Sequence, residues 1–433
     1  MTSSLILAHG VGSVYKLPLP LPLYLGAAAA TVVVSFALRA LLPERRTEVD
    51  RRIVGPSGTS AIAGTLRVVA VFFLLLAILS GAIVRERGLT LAPLAFWVGL
   101  VVGVTVLSVI FGGIWKHIDP WAAAERTYRI KGVEAEPRTF PWWVGPLGVY
   151  LLFWFELVSG VGFESFWIVL VLVGYSLFVF TFRASLGDQW EEVDPFSILF
   201  GFASRTSPLR VEDDGIYLRG WLGGLDDPKP MPPALYASVF FLLASTTLDN
   251  VKETVGWTSF LSGTGLDALP DMLLNSLALA LFAVPFFALF MLATWGAHHW
   301  TGRRVPMMLL GRHLGWSLIP IGVAYVLAHN APLVMTGAPQ LLQALSDPFQ
   351  RGWNLLGTAG MFSGFLPSPK LVWFLEIGLI VAGHILGVVA AHRSVVRLAE
   401  DHRAAVRAEL PLTLLMATFT ITTLWLLAQP LVT

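Results

Sequence analysis

The sequence predicts an all-α fold, a polytopic transmembrane helical bundle of about ten spans with both termini outside. Three observations predict it. Of the 433 residues, 55% are apolar and only 13% charged, with a mean hydropathy of +0.71, whereas soluble domains carry about a quarter charged residues. Apolar runs of roughly 18–25 residues, enough to cross the hydrocarbon layer as a helix, recur along the whole chain. Lys and Arg are rich in every second loop between those runs, which is how cytoplasmic loops are marked.

The runs fall at 21–42, 65–85, 91–114, 141–161, 164–183, 233–250, 270–297, 313–335, 370–392 and 409–430. Met1 to Ala8 holds no basic residue and too short an apolar run for a cleaved signal peptide, so the first span is expected to serve as an uncleaved anchor. Arg45, Arg46, Arg51 and Arg52 follow the first span, and Lys116, Arg126, Arg129, Lys131 and Arg138 the third. Arg183, Arg205, Arg210 and Arg219 follow the fifth, Arg303 and Arg304 the seventh, and Arg393, Arg397, Arg403 and Arg407 the ninth. The alternate loops are poorer, with Arg85 and Arg87, none, Lys252, then Arg351 and Lys370. An even number of spans with both ends outside fits that alternation, and residues 1–433 read as a single integral membrane domain of a bacterial cytoplasmic membrane.

Three stretches do not span: 115–140 and 184–232 on the inside, and 336–369 on the outside. Each holds an Asp-Pro-aromatic turn, at Asp119-Pro120-Trp121, Asp194-Pro195-Phe196 and Asp347-Pro348-Phe349. Asp before Pro starts helices, because the carboxylate caps and Pro is tolerated at the first helical position. The turns read either as short amphipathic helices at the interface or as loop punctuation.

Composition excludes several functions. A net charge of +1 provides no basic stripe for nucleic acid. With no cysteine, disulfides, thiolate zinc sites, iron–sulfur clusters and cysteine nucleophiles are all excluded. The chain has no zincin His-Glu-x-x-His, no Gly-x-Ser-x-Gly elbow and no Gly-x-x-x-x-Gly-Lys phosphate loop. An ATP-driven pump or an ordinary serine hydrolase is therefore not expected from this chain alone. The expected partners are the bilayer, a small-molecule or ion substrate and, on one reading below, a membrane complex.

An ionisable residue at the centre of a span costs roughly 2.5–3.5 kcal/mol on insertion scales, so each is a functional candidate. The outer half collects Glu156, Asp249, Lys252, Glu253, His329 and Glu376, with Asn250, Asn275 and Asn330 at similar depth and His9 on the same side. His with several carboxylates at one level suits a divalent metal, a proton relay or a coordinated cation. Asp249, Lys252 and Glu253 also read as the solvated end of a span.

The inner half collects His298, His299, His313, His384 and His392. His313 and His384 come closest to the pair of facing histidines that ligates a b-type haem or a metal. His384 and His392, eight residues apart, lie roughly 12 Å apart along the axis and about 80° around it, so they cannot share one ion. His298, His299 and His392 read as interfacial residues.

Several stretches resemble the bacterial family of polytopic membrane proteins named fenitrothion hydrolase. They are Leu7-Ala8-His9-Gly10 with Leu17-Pro18-Leu19-Pro20, FGGIWKHIDPW from Phe111, FWFELV around Glu156 and STTLDNVKETVGW from Ser245. Further along come YVLAHNAPL around His329, SDPFQRGWNLLGTA from Ser346 and VAGHILGVVAAHRS around His384 and His392. The resemblance runs in patches over essentially the whole chain. It implies hydrolysis of an organophosphate triester and draws attention to His9, Glu156, Asp249, His329 and His384.

Three functions follow. A membrane hydrolase would hold a divalent metal on His329 and His9, with Glu156, Asp249 or Glu376 completing the shell or acting as base. A proton- or cation-coupled transporter would use Glu156 and Glu376 as its relay, with broken helices at Pro320 and at Asn330–Pro332. A haem- or metal-handling membrane subunit of a larger complex would use His313 and His384.

Overall fold

The structure is a computed structural model that describes residues 20–41, 51–84, 90–122, 137–212, 214–220, 222–302, 305–359 and 367–429. The helices run in chain order as α1 (Leu21–Leu41), α2 (Pro56–Ile83), α3 (Leu91–Phe111), α4 (Val144–Leu157), α5 (Ser165–Leu186), α6 (Pro195–Thr206) and α7 (Pro233–Lys252). They continue as α8 (Val255–Thr264), α9 (Asp271–Trp300), α10 (Met307–Leu314), α11 (Ile319–His329), α12 (Ala331–Ser346), α13 (Pro369–Leu398) and α14 (His402–Leu427). Among the described residues, nine helical segments are long and apolar enough to cross a membrane, with α10 and α11 together making one of them.

Apolar side chains turned outward are the physical sign of a lipid environment. On α2, Val68, Phe72, Leu75 and Leu79 are all more than half exposed, along one face. In water such a stripe is an aggregation site, whereas in hydrocarbon it is the solvated surface. The expected span at 141–161 is realised as α4, a helix of 14 residues. At ~1.5 Å per residue it measures about 21 Å, short of the ~30 Å hydrocarbon core.

The described chain forms two compact units. The first contains residues of 1–47, 222–332 and 367–433, and the second those of 48–221 and 333–366. In the first, α13 packs against α1, α11 and α14, while α9 packs against α7 and α14. A core of Ala28, Ala328, Ile380 and Leu424 ties α1, α11, α13 and α14 together. Small residues let α11 and α13 touch closely: a Cβ added at Gly383 would sit 2.4 Å from Ala324 Cβ and 2.8 Å from the Pro320 carbonyl oxygen. Lipid offers no hydrophobic drive for helix association, so close backbone approach of this kind supplies the attraction.

The second unit corrects the reading of the Asp-Pro turns as interfacial helices. Asp119 and Asp194 are buried, as are Trp121 and Phe196. Asp194 caps α6 by accepting from Ser197 N at 2.8 Å, and it accepts from the Tyr175 hydroxyl at 2.7 Å. Asp119 is paired with Arg183 and caps the Trp121 amide. Edge-to-face rings of Trp121, Tyr175 and Phe196 pack between the two aspartates. Burial raises the Asp119 carboxyl against the pull of Arg183, and it pushes Asp194 up to about 6 despite the bonds from Ser197 and Tyr175. The aromatics of these turns fill the core because the capping carboxylates find partners there. The third turn is partly buried too: Asp347 accepts from the Arg351 and Gly352 amides, and the Ser80 hydroxyl donates to the buried Pro348 carbonyl at 2.6 Å.

Three further differences from the sequence reading are local. A small antiparallel sheet in order β1-β3-β2 joins β1 (Arg51–Val54), β2 (Leu209–Glu212) and β3 (Gly215–Leu218), in stretches the sequence reading treated as loop. Four-residue strands are too short to show a period-2 signal. The span expected at 313–335 begins earlier, at Met307, and stops at His329. The stretch expected as outer loop from 336 starts inside α12.

Candidate functional site

The first unit draws part of the outer constellation together, at the ends of two helices. α7 is rich in hydroxyls that look unsuited to a span. Ser245, Thr246 and Thr247 bond back to the Leu242 and Leu243 carbonyls, which satisfies them within the helix. Its last turn carries Asp249 and Lys252, whose Nζ lies 2.6 Å from Asp249 Oδ1. Across from it, the last turn of α11 carries His329, with Nε2 2.9 Å from Asp249 Oδ2. Asn250, next after Asp249 on α7, donates from Nδ2 to the hydroxyl of Tyr325, one turn before His329 on α11, at 2.9 Å. Asp249 is 3% exposed and His329 10%, so the pair is held out of solvent.

α11 ends at this point. Asn330 leaves helical geometry, and both its backbone N and Nδ2 turn back to the Val326 carbonyl oxygen at 3.1 and 3.0 Å. The chain then restarts as α12 at Ala331. Both α7 and α11 present C-terminal ends, the negative poles of their dipoles, and basic Lys252 and His329 sit against them. Glu376, half-buried on α13, lies within electrostatic reach of His329, and Tyr325 lies within reach of both Asp249 and Glu376. Glu253, just past α7, is raised above the ordinary carboxylate range by burial, with Lys252 opposing and Asp249 reinforcing the shift.

The fit to a metal follows from the donors. Among the described residues, no group of three or more His, Asp and Glu side chains is placed to hold an ion. Both oxygens of Asp249 are already engaged, one by an ammonium, and a cation repels a second cation. His9 lies outside the described residues. A divalent metal does not fit the described donors of this pair.

The other predicted residues fall elsewhere. Glu156 occupies the last turn of α4, in the second unit, where the neighbouring turn is fixed by Trp97 Nε1 donating to the Gly162 carbonyl at 2.7 Å. His313 lies on α10 with Arg312 and Asp227 as charged neighbours. His384 is buried on α13, its Nδ1 2.8 Å from the Ile380 carbonyl oxygen. Its Nε2 has no hydrogen-bond partner among the described residues. The flanking Gly383 and Gly387 pack on α11 and the turn before it.

His392 corrects an expectation. It is 1% exposed rather than interfacial, and its Nδ1 lies 2.6 Å from Oε2 of Glu409, which is fully buried on α14. Sequence reasoning passed over Glu409 because it stands at the first position of an apolar run, where an acidic residue reads as a solvated flank. The signal available was the lone carboxylate of α14 facing a helix with regularly spaced histidines.

Compared with protein-family models, with curated proteins and with solved structures, the chain matches none.

Proposed function

We propose that this integral membrane protein is a proton-coupled transporter of a small molecule or ion, with Asp249–His329 as its coupling site and Glu376 as the adjacent relay carboxylate. One observation carries the reading: a buried acid–base pair bridges the ends of two membrane helices at the break between α11 and α12. Discontinuous helices at a polar site are where secondary transporters bind their coupling ions. The pair responds to protons by its nature. Protonation of Asp249 replaces a doubly bonded carboxylate by a neutral acid and weakens its hold on both His329 and Lys252. The α7–α11 clamp is then biased towards opening, which is the differential stability a conformational cycle needs.

The test uses proteoliposomes loaded with a pH-sensitive dye under an imposed pH gradient. Amino acids, sugars, organic cations, organic anions and alkali cations are added class by class. One class is expected to accelerate collapse of the gradient, and Asp249→Asn to slow that response at least ~10-fold, the factor set by ~1.4 kcal/mol of lost coupling. Solute uptake at the same rate with and without the gradient would end the proton-coupled reading.

The family resemblance supports a second reading, an organophosphate triester hydrolase, because two of its segments, Ser245–Trp257 and Tyr325–Leu333, meet at the Asp249–His329 pair. Since the described donors around the pair do not fit a metal, this reading rests on triester turnover by the purified protein, which His329→Ala is expected to abolish. Purified protein without turnover removes it.

A further inference from the structure

The first unit contains a second buried acid–base pair that the proposed coupling site does not use. His392 and Glu409 join α13 to α14 at 2.6 Å and are 1% and 0% exposed. Glu409 Oε1 has no hydrogen-bond partner among the described residues. A buried carboxylate oxygen normally finds a donor, so one left open marks a place where a proton, a water or an ion binds.

The position of the pair gives it meaning. His392 lies sixteen residues after Glu376 on one continuous helix, which at ~1.5 Å per residue puts the two about 24 Å apart along α13. Glu376, within reach of His329, and the His392–Glu409 pair thus stand near opposite ends of the same helix. The interval is polar in an ordered way. Thr413 and Thr420, both buried, follow Glu409 on α14 within about 40° and 20° of its direction around the axis. Because α14 runs antiparallel to α13, they lie about 6 and 16 Å from the His392 level, on either side of His384 at about 12 Å. Glu409 Oε1, Thr413 Oγ1 and His384 Nε2 are thus three buried polar atoms of α13 and α14 without partners among the described residues, while Thr420 bonds back to the Met416 carbonyl.

We infer that His392–Glu409 is a second proton-binding station of the first unit. The inference rests on the proton-coupled reading for its role in transport, and on the pair's own geometry for its capacity to bind a proton. In the step itself, Glu409 Oε1 takes a proton from hydronium; an O–H bond forms and water is released, while Oε2 stays bonded to His392. Release returns the proton to water and restores the carboxylate. The charged and titratable groups carried by the elements around the pair include Arg39 on α1, Arg393 on α13, His402, Arg403 and Arg407 on α14, His298 on α9, and Arg312 and His313 on α10. Arg39 and His402 act directly on Glu409. Arg397, one turn beyond His392, is taken by Asp226.

Infrared difference spectroscopy of the full-length protein in lipid nanodiscs tests this. Stepping the pH across about 5 to 9, the range where buried carboxyls titrate, is expected to show a protonated-carboxyl band. That band should vanish in Glu409→Gln and shift its midpoint by about one pH unit, tenfold in proton concentration, in His392→Gln. A band unchanged in Glu409→Gln overturns the station. If Glu409→Gln does not fold, an unmoved midpoint in His392→Gln overturns it equally. Dye-loaded proteoliposomes separate the two ideas. A titrating Glu409 in protein that moves no protons upholds the station and ends the transport reading. A silent Glu409 in protein that does move protons ends the station and leaves transport standing.

Discussion

Asp249 holds two basic partners at once, Lys252 through Oδ1 and His329 through Oδ2. Asp249→Asn keeps the shape but leaves an ammonium facing a neutral amide, and the expected loss is about 1–3 kcal/mol, since Lys252 is only 21% exposed. Adding Lys252→Met should recover part of it, with a double-mutant coupling of about 0.5–3 kcal/mol read from thermal unfolding in detergent. Asp194 makes a prediction of opposite sign. Its folded-state carboxyl is raised to about 6 by burial, so protonation favours the fold. Its contribution is fully present below the ordinary carboxylate range and is lost as pH rises through about 6, on the order of 3 kcal/mol for a two-unit shift. Asp194→Asn keeps the cap and should flatten that slope, which melting curves at pH 4 and pH 7 would show. Asp249 and His329 were legible as costly residues in apolar runs. That they face each other was not, because eighty residues separate them in sequence.

At the scale of elements, the α11–α13 seam depends on glycine. Gly383→Ala would press a methyl into Ala324 and the Pro320 carbonyl, and overpacking of this kind costs about 1–3 kcal/mol. Gly378→Ala, five residues earlier on α13 with nothing within 4 Å of its new Cβ, is expected to be neutral or to stabilise by up to ~1 kcal/mol through helix propensity. Equal effects of the two on the melting temperature would contradict the packing described. The spans themselves were readable, since a helix solvated by lipid announces itself by length and hydropathy. The break at Asn330 was also readable, from Asn330 and Pro332. The short strands and the burial of the Asp-Pro turns were not, because both depend on partners distant in sequence.

At the scale of the molecule, the absence of cysteine permits topology mapping by single introduced thiols. Ser368 and Glu400, both exposed, flank α13 at its two ends. Ser368→Cys is expected to react with an impermeant maleimide on intact cells, and Glu400→Cys only after permeabilisation, following the loop charges. Labelling of both from one side would show that α13 does not cross. The sequence by itself determined the solvent, the helical class and the places where polar residues are expensive, because those follow from composition and run length alone. The tertiary structure decided which of them meet. It paired Asp249 with His329 and His392 with Glu409, since a charge in a dry interior must find a partner, and that partner is chosen by helix packing rather than by neighbours along the chain.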